Sequence, residues 1–414
     1  MAIITPFPAL RPAAQYAKQV AAKPYDVLNT REARLEAQGN PYSFLHITKS
    51  EIDLPEQTDP YDEAVYQRAK ENLDAFLQRN VLFRESKPCY YIYQLVMNGR
   101  TQTGLVATSS IKDYEQGIIK KHEFTRPEKE NDRIRHIKVT GAQTGNVFLT
   151  YRDVAAINEL IARWKTDKNP VYDFVADDGV QHSIWVINDD AVIKSITTLF
   201  KEQVPCTYIA DGHHRAASAA KVKASLEPPV PRAAQYFLTT LFPASELAIM
   251  DYNRVVTDLN GHTPETFLKA LEADFTVTEA GKEPVKPTAL HHMGMYLGGN
   301  WYQLVAKEGT FNANDPIGVL DVSILSDNIL SKHLGITDQR TDKRIDFVGG
   351  IRGLQELQQR VDSGEMQVAF SLYPVTMEQL FAIADCGNVM PPKSTWFEPK
   401  LRDGLLTHLI TDAS

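Results

Sequence analysis

One junction constrains the fold of this chain more than any other sequence feature. An apolar segment at residues 207–209 leads into an acid and a glycine, and the alanine-rich segment 216–220 follows. A short apolar run that ends at glycine predicts a strand and a turn, and alanine has the highest helix propensity. The pattern therefore predicts a strand-turn-helix unit with its polar residues at the start of the helix. These residues are Asp211, Gly212, His213, His214 and Arg215.

The chemistry of this junction favours an anion site. The first turn of a helix presents unpaired N–H groups at the positive end of the helix dipole. Arg215 adds a planar guanidinium that matches a phosphate or a carboxylate. The structural alternative is that Asp211 caps the helix and that the histidines satisfy backbone groups. A cap needs one such residue and not four, so we expect the chemistry to lie here.

The charged segment 120–138 is a second candidate region. It holds seven Lys or Arg and four Asp or Glu, in a chain whose net charge is −8. It is either a solvated charged helix or the wall of a cleft that attracts an anionic substrate. Glu123 is correspondingly either a proton acceptor for a hydroxyl group or an ion-pair partner. The candidate binding residues beside it are His122, Thr125 and Arg126.

The tail, residues 390–400, is the third candidate region. Its prolines favour an extended backbone, which predicts that the tail packs back onto the body of the protein. One interpretation is a clasp for phosphate or carboxylate, and the other is a strap whose Trp396 and Phe397 fill a groove. The two are compatible. The clasp residues would be Lys393, Ser394, Thr395 and Lys400.

Length and composition limit the class of protein. A chain of 414 residues predicts two domains, which we place at residues 1–245 and 246–414. A pI near 5.8 argues against a nucleic-acid partner. Three widely spaced cysteines fit a reducing compartment. The sequence shows neither a signal peptide nor an apolar run of about 20 residues, so we expect a cytoplasmic protein with no membrane partner.

The pattern of hydrophobic residues predicts an α+β fold. In the first domain we expect an amphipathic helix within 59–80 and a hairpin that turns at Asn98-Gly99. In the second domain we expect a helix at 319–334, among other helices and strands. Signature motifs for a phosphate loop, a Rossmann turn, a zinc protease and a serine hydrolase are absent. A metal site of His122, His213 and His214 is an alternative, although the side chains of adjacent histidines diverge.

Several motifs, in one order along most of the chain, resemble the domain of unknown function 1015 (DUF1015) family. They lie at residues 6–12, 24–28, 40–46, 113–115, 122–125, 211–215 and 390–395. The turn at 211–215 also resembles the ligand-binding turn of the ParB/sulfiredoxin superfamily, some of whose members are kinases of free serine. The resemblance implies a ParB/sulfiredoxin-like mixed core with large elaborations and a nucleotide-binding first domain. The second, α+β domain would end in a strap that returns to the site.

The resemblance also implies an activity. It indicates phosphate transfer between O-phosphoserine or serine and ADP or ATP, running toward serine in serine biosynthesis. Glu123 would be the catalytic glutamate, although the insertion between it and Asp211 is longer than in the compact kinases. Asp211 would hold Mg²⁺, and His213, His214 and Arg215 would contact phosphate.

Two other classes of function remain open at the level of sequence. One is a regulatory ParB-like module that binds nucleotide through the same turn without converting an amino acid. The other is a metal-dependent hydrolase built on His122, Glu123, Asp211 and His213. The sequence does not predict the oligomeric state.

Overall fold

A computed structural model describes residues 1–411 of the protein. The chain forms two compact units. The first contains residues 1–247 and the C-terminal segment that begins at Pro399, and the second contains residues 248–398. The division predicted from sequence, at residues 1–245 and 246–414, places the whole C-terminal segment in the second domain. The segment that begins at Pro399 belongs to the first unit because its backbone pairs there, Thr407 with Leu10 and Asp403 with Ala22.

Helices and strands alternate through both units, and the predicted α+β class is confirmed. The helices are α1 Ala17–Val20, α2 Thr30–Ala37, α3 Leu45–Thr48, α4 Glu63–Gln78, α5 Ile111–Glu115, α6 Pro127–Thr140, α7 Ala155–Asp167, α8 Asp190–Gln203, α9 His213–Ala224, α10 Pro264–Leu271, α11 Asp321–Leu325, α12 Gly353–Asp362 and α13 Met377–Asp385. No helix among residues 1–411 has the length and apolar character needed to cross a membrane.

The strands form two large sheets and three two-stranded ribbons. They are β1 Ile4–Thr5, β2 Leu10–Pro12, β3 Leu82–Arg84, β4 Tyr90–Met97, β5 Arg100–Ser110, β6 Ile119–Lys120, β7 Ala142–Gln143, β8 Val147–Tyr151, β9 Tyr172–Val175, β10 Gln181–Ile187, β11 Thr207–Asp211, β12 Tyr236–Pro243, β13 Ile249–Met250, β14 Tyr252–Val256, β15 Phe275–Gly281, β16 His292–Leu297, β17 Asn300–Ala306, β18 Ile345–Gly349, β19 Val368–Leu372, β20 Trp396–Phe397 and β21 His408–Leu409.

The first unit is built on a nine-stranded mixed sheet with the order β6-β11-β8-β12-β5-β4-β10-β9, and β1 pairs with β5. The pairs β11–β6 and β12–β8 are parallel, and the other pairs are antiparallel. The predicted hairpin is confirmed as β4 and β5. Asn98 and Gly99 both have positive φ, 51° and 77°, as a two-residue hairpin turn of the primed type requires.

Apolar helix faces cover the sheet of the first unit. Helix α4 confirms the predicted amphipathic helix, with Val65, Tyr66, Ala69, Leu73 and Phe76 buried at helical spacing. It does not cover this sheet, because its Leu73 and Phe76 belong to a second core with residues of α2, α3 and β3. The Asp62 side chain accepts a hydrogen bond from the Ala64 N–H and so caps the first turn. The core against the sheet includes residues of β5, β8, α8, β11 and α9. Strand β11 and helix α9, which form the junction, are therefore anchored on a packed scaffold.

The second unit contains a six-stranded sheet with the order β15-β17-β16-β19-β14-β18. The helix expected at 319–334 is shorter and irregular. Leu320 has an extended backbone (φ −71°, ψ 139°), so α11 begins at Asp321, and a π-helical turn at Ser326–Ser331 follows it. The hydrophobic period at 319–334 indicated a helix but did not show where regular hydrogen bonding would start or change.

Candidate functional site

The predicted strand-turn-helix is confirmed. Strand β11 runs between β6 and β8, and helix α9 begins at His213 directly after the turn. Gly212 occupies the N-cap position with φ 99°, a conformation that favours glycine. A Cβ at this position would lie 3.3 Å from Val147 Cα and 3.4 Å from Arg215 Cζ. The turn therefore needs glycine both for its backbone angles and for the close approach of Arg215.

Arg215 lies over the turn and is nearly buried, with 10% of its side chain exposed. Its Nη2 lies 3.2 Å from Asp26 Oδ2 and 3.5 Å from Asp211 Oδ2, and its Nη1 donates to the Asn146 carbonyl. Burial lowers the pKa of Arg215, but the two carboxylates outweigh burial and raise it. The guanidinium is a fixed positive charge at the start of α9.

Asp211 is the last residue of β11 and is contacted by two cations. Lys400 Nζ donates to Asp211 Oδ2 at 3.3 Å, next to the contact with Arg215. Burial raises the pKa of Asp211, but Lys400 and Arg215 outweigh burial and hold that pKa well below its ordinary value. The structure therefore brings Lys400, from the tail, to the predicted junction.

His213 links the helix start to the loop that contains Glu123. The His122 backbone N–H donates to His213 Nε2 at 3.4 Å, so the proton of the neutral ring is on Nδ1. His213 Nδ1 lies 3.7 Å from Glu123 Oε2, and the Glu123 side chain is 44% exposed. Burial and then His122 lower the pKa of His213 well below its ordinary value. A neutral, buried imidazole thus faces an accessible carboxylate.

His122 packs edge-on against His213, with ring centroids 4.6 Å apart. Burial lowers the pKa of His122 to about 4. Neither ring nitrogen of His122 has a hydrogen-bond partner among residues 1–411. As the structure places it, His122 supports the position of His213 through its backbone and its ring face.

The other predicted residues of the loop hold it against α9. The Arg126 backbone N–H donates to His214 Nε2 at 2.9 Å, so His214, like His213, accepts at Nε2. The Thr125 hydroxyl donates to Glu130, which also pairs with Lys221 of α9. The contacts of His214 and Thr125 are therefore with the protein, and they position the loop beside the helix start.

The segment 120–138 is only partly a solvated helix. The Arg126 side chain, at the N-cap of helix α6, is exposed. Within the helix, however, four polar or charged side chains are buried, namely Glu130, Asp132, Arg133 and His136. Arg133 is 8% exposed and pairs with Asp132 at 2.8 Å. The spacing of charged residues does not by itself show which of their side chains are buried, because burial depends on the elements that pack against the helix.

Two carboxylates at the site were not predicted from sequence, namely Asp26 and Asp403. Asp403 is 2% exposed, and burial raises its pKa to about 8. Asp26 belongs to a segment that already carries the family resemblance, Pro-Tyr-Asp-Val-Leu at 24–28, and that motif was the available signal. Asp403 had no such signal, because it lies outside the motifs.

Three predicted tail residues lie in the second unit, and their described contacts are within that unit. The Ser394 hydroxyl donates to the Pro391 carbonyl at 2.6 Å. Lys393 Nζ lies 5.7 Å from the centre of the Tyr252 ring. Buried Arg254 donates to the Pro392 carbonyl at 3.1 Å. Lys393, Ser394 and Thr395 thus form a loop that is fastened to strand β14, and a role in ligand binding remains a prediction.

The side chains available near the junction limit how a metal ion can bind there. Among residues 1–411, no group of three or more His, Cys, Asp or Glu side chains is arranged to hold a metal. A single carboxylate, Asp211, together with substrate phosphates would suit Mg²⁺, which takes one or two carboxylates in nucleotide sites. Asp211 already contacts Lys400 and Arg215, so these cations would share its charge with the ion.

The sequence of the chain decides its family. The model of the family described as "Protein of unknown function (DUF1015)" matches residues 4–323. The chain belongs to the DUF1015 family. The resemblance predicted from the motifs is thereby confirmed, and the match spans the loop at 120–126 and the junction at 211–215. No curated protein matches this DUF1015 chain.

Several solved structures are similar to this DUF1015 protein. A conserved hypothetical protein from Pyrococcus furiosus is 13% identical with a TM-score of 0.36, over 74% of this chain and 95% of that one. A mutant free serine kinase in complex with AMP is 10% identical with a TM-score of 0.37, over 73% and 92%. C-terminally truncated SbnI from Staphylococcus aureus is 12% identical with a TM-score of 0.40, over 73% and 87%.

Proposed function

We propose that this protein is a phosphotransferase that moves a phosphoryl group between O-phosphoserine or serine and ADP or ATP. The observation that carries the proposal is the convergence at one helix start. Positive charge lies beside Asp211 and comes from the α9 N-terminus, Arg215 and Lys400. Glu123 lies near the same helix start, because its carboxylate faces His213, the first residue of α9. Phosphoryl transfer needs positioning and charge neutralisation more than it needs covalent machinery.

In this proposal the phosphoryl group binds at the start of α9. The unpaired N–H groups of the first helical turn donate to its oxygens, as at other helix N-termini that bind phosphate. Arg215 and Lys400 neutralise the charge that spreads over the transferred group. One such cation is worth about 10³ in rate in phosphoryl-transfer enzymes. The two cations already share one carboxylate, so an incoming phosphate would compete with Asp211 for them.

Glu123 handles the proton in this proposal. Toward serine, the bond between phosphorus and the serine oxygen breaks, a bond to the terminal ADP oxygen forms, and protonated Glu123 gives its proton to the leaving oxygen. Toward O-phosphoserine, the Glu123 carboxylate takes the hydroxyl proton. His213 acts as a positioning residue, because its Nδ1–H faces Glu123 Oε2 at 3.7 Å. Asp211 would supply a carboxylate oxygen to Mg²⁺, which would neutralise charge on the nucleotide phosphates.

The test is a transfer assay on the purified full chain. The protein is incubated with Mg²⁺ and O-phosphoserine, with and without ADP, and serine, ATP and free phosphate are measured. Serine and ATP that appear together, and only with ADP, would support the proposal. Free phosphate without ADP would indicate a phosphatase. Binding of nucleotide with no conversion of serine or O-phosphoserine in either direction would indicate the regulatory module instead.

A pair of variants then tests the proton role. Glu123→Gln keeps the shape of the side chain but removes the acid, and we expect turnover to fall about 10²- to 10⁴-fold, the usual contribution of general acid–base catalysis. Glu128→Gln, in the first turn of α6, is the matched control and should leave turnover unchanged. Full turnover by Glu123→Gln would exclude Glu123 as the acid and base.

A further inference from the structure

A small cavity lies beside the junction in the first unit. Its volume is about 20 Å³, and its walls include Tyr25, Arg133, Gln143, Gly145 and Arg215. A water molecule needs about 10–15 Å³ measured in this way. The cavity therefore has room for one or two oxygen-sized atoms. It is too small for a nucleobase or for a whole phosphate with its four oxygens.

Two of the residues that line this cavity have buried polar atoms without hydrogen-bond partners. Arg133 Nη1 and Arg215 Nε are buried and have no hydrogen-bond partner among residues 1–411, and the same holds for Asp403 Oδ2. Asp403 adjoins the wall residue Gly145, where a Cβ would be 3.5 Å from Asp403 Oδ1 and 3.2 Å from Arg215 Cδ. Buried polar groups are almost always hydrogen-bonded, so the unpartnered nitrogens of these two cavity-lining arginines require an explanation.

The contacts of Arg133 leave one edge of its guanidinium group without a hydrogen-bond partner. Its Nε and Nη2 contact Asp132 Oδ2 at 2.9 and 2.8 Å, and its guanidinium lies 3.9 Å from the centre of the Tyr25 ring. Asp132 Oδ1 in turn accepts from the Tyr66 hydroxyl at 2.9 Å. The Asp132 contact and the Tyr25 stacking fix the plane of the guanidinium, and only Nη1 is left without a partner.

We infer that this cavity binds the α-carboxylate of the amino-acid substrate, with Arg133 Nη1 and Arg215 Nε as donors. The inference rests on the proposed function for the identity of the amino acid. A carboxylate has two oxygens, which the cavity volume accommodates. The side-chain oxygen of the substrate then points away from the cavity, toward the start of α9. Arg215 belongs to both parts, because its Nη2 lies 3.5 Å from Asp211 Oδ2 and its side chain lines the cavity.

The test compares two ligands that differ only in the carboxylate. Binding of O-phosphoserine and of O-phosphoethanolamine to the full chain is measured by calorimetry, for the wild type and for Arg133→Gln. We expect the wild type to bind O-phosphoserine about 10- to 100-fold more tightly, as a charged hydrogen bond predicts. Arg133→Gln should remove this preference and leave O-phosphoethanolamine within about twofold. Arg135→Gln, on the same helix but paired at the surface with Glu63, should retain it.

Two further measurements keep the test decisive. If Arg133→Gln does not fold, Gly145→Ala replaces it, because its methyl group would enter the cavity wall next to Arg215 and should weaken O-phosphoserine binding more than O-phosphoethanolamine binding. If O-phosphoserine is not a substrate in the transfer assay, L-serine and ethanolamine replace the phosphorylated pair. A preference for L-serine that is lost in the variant would still support the carboxylate site. Equal binding of both ligands of each pair by the wild type would overturn it, as would a variant that keeps the preference.

Discussion

Lys400 Nζ donates to Asp211 Oδ2 at 3.3 Å, which joins two residues that are 189 positions apart in the sequence. Asp211 ends the strand that leads into the junction, and Lys400 comes from the tail. Asp211 also contacts Arg215, so its carboxylate lies between two cations. The contact makes the tail part of the candidate site and not only a cover for the first unit.

Replacing Lys400 tests this contact. Lys400→Met removes the charge but keeps most of the side-chain volume, and we expect the kcat/KM of phosphate transfer to fall by about 10²- to 10³-fold. Lys400→Arg should recover part of the loss, because it restores a cation. Lys201→Met, at an exposed position of α8, is the control and should have wild-type kinetics. A Lys400→Met protein with unchanged kcat/KM would show that Lys400 does not contribute to transfer.

Gly212→Ala tests the geometry of the turn. The alanine would have φ near 99° and its Cβ would lie 3.3 Å from Val147 Cα, so both backbone strain and crowding destabilise the folded state. We expect the free energy of unfolding to fall by about 1–3 kcal/mol. Gly141→Ala is the matched control, since Gly141 has φ 68° but open space around its Cβ. Chemical denaturation measures both, and an equal loss would mean that close approach to Val147 adds nothing.

Asp403 makes stability depend on pH. Burial raises its pKa to about 8, from an ordinary 3.8, so between these values the folded state retains a proton that the unfolded chain has lost. Stability from this group is therefore present at low pH and is lost as the pH rises through about 8. Asp403→Asn removes this dependence. We expect its Tm, relative to wild type, to increase between about pH 5 and pH 9.

The comparison with wild type is needed because Asp321, in the second unit, titrates in the same range. Burial raises the pKa of Asp321 to about 7. Its contribution is the same in both proteins and cancels in the difference of the two Tm values. If that difference stays constant from acid to alkaline pH, then Asp403 is ionised in the folded state, contrary to the expectation.

Removing the segment that begins at Pro399 should unfold the first unit. A chain that ends at Glu398 lacks the buried side chains Leu401, Leu405 and Leu406 and the backbone pairing with Leu10 and Ala22. Each buried leucine contributes about 1.5–3 kcal/mol, and the total approaches the usual stability of a domain, about 5–15 kcal/mol. Circular dichroism and thermal unfolding measure the loss.

The matched comparison is Leu405→Ala, which leaves the backbone pairing in place. We expect it to fold with a loss of about 2–5 kcal/mol, as for other buried leucines. A first unit that unfolds cooperatively at the wild-type Tm without residues beyond Glu398 would contradict the structural role of the tail.

Local sequence patterns predicted the elements that depend on neighbours in the chain. The strand-turn-helix at 207–224 and the hairpin at 90–110 follow from glycine at turns and from runs of apolar residues or alanine. The amphipathic helix α4 follows from its helical period of apolar residues. The motif order also identified the family, and the polar residues of the turn indicated where the candidate site lies.

The partners of those residues were decided only by tertiary structure. Asp26, Glu123 and Lys400 reach residues 211–215 from three distant segments, because the mixed sheet and the returning tail bring those segments together. The charges that α6 turns inward, such as Arg133, likewise depend on what packs against it. Backbone propensities act over a few residues, whereas contacts across the chain arise only when distant apolar surfaces are buried together.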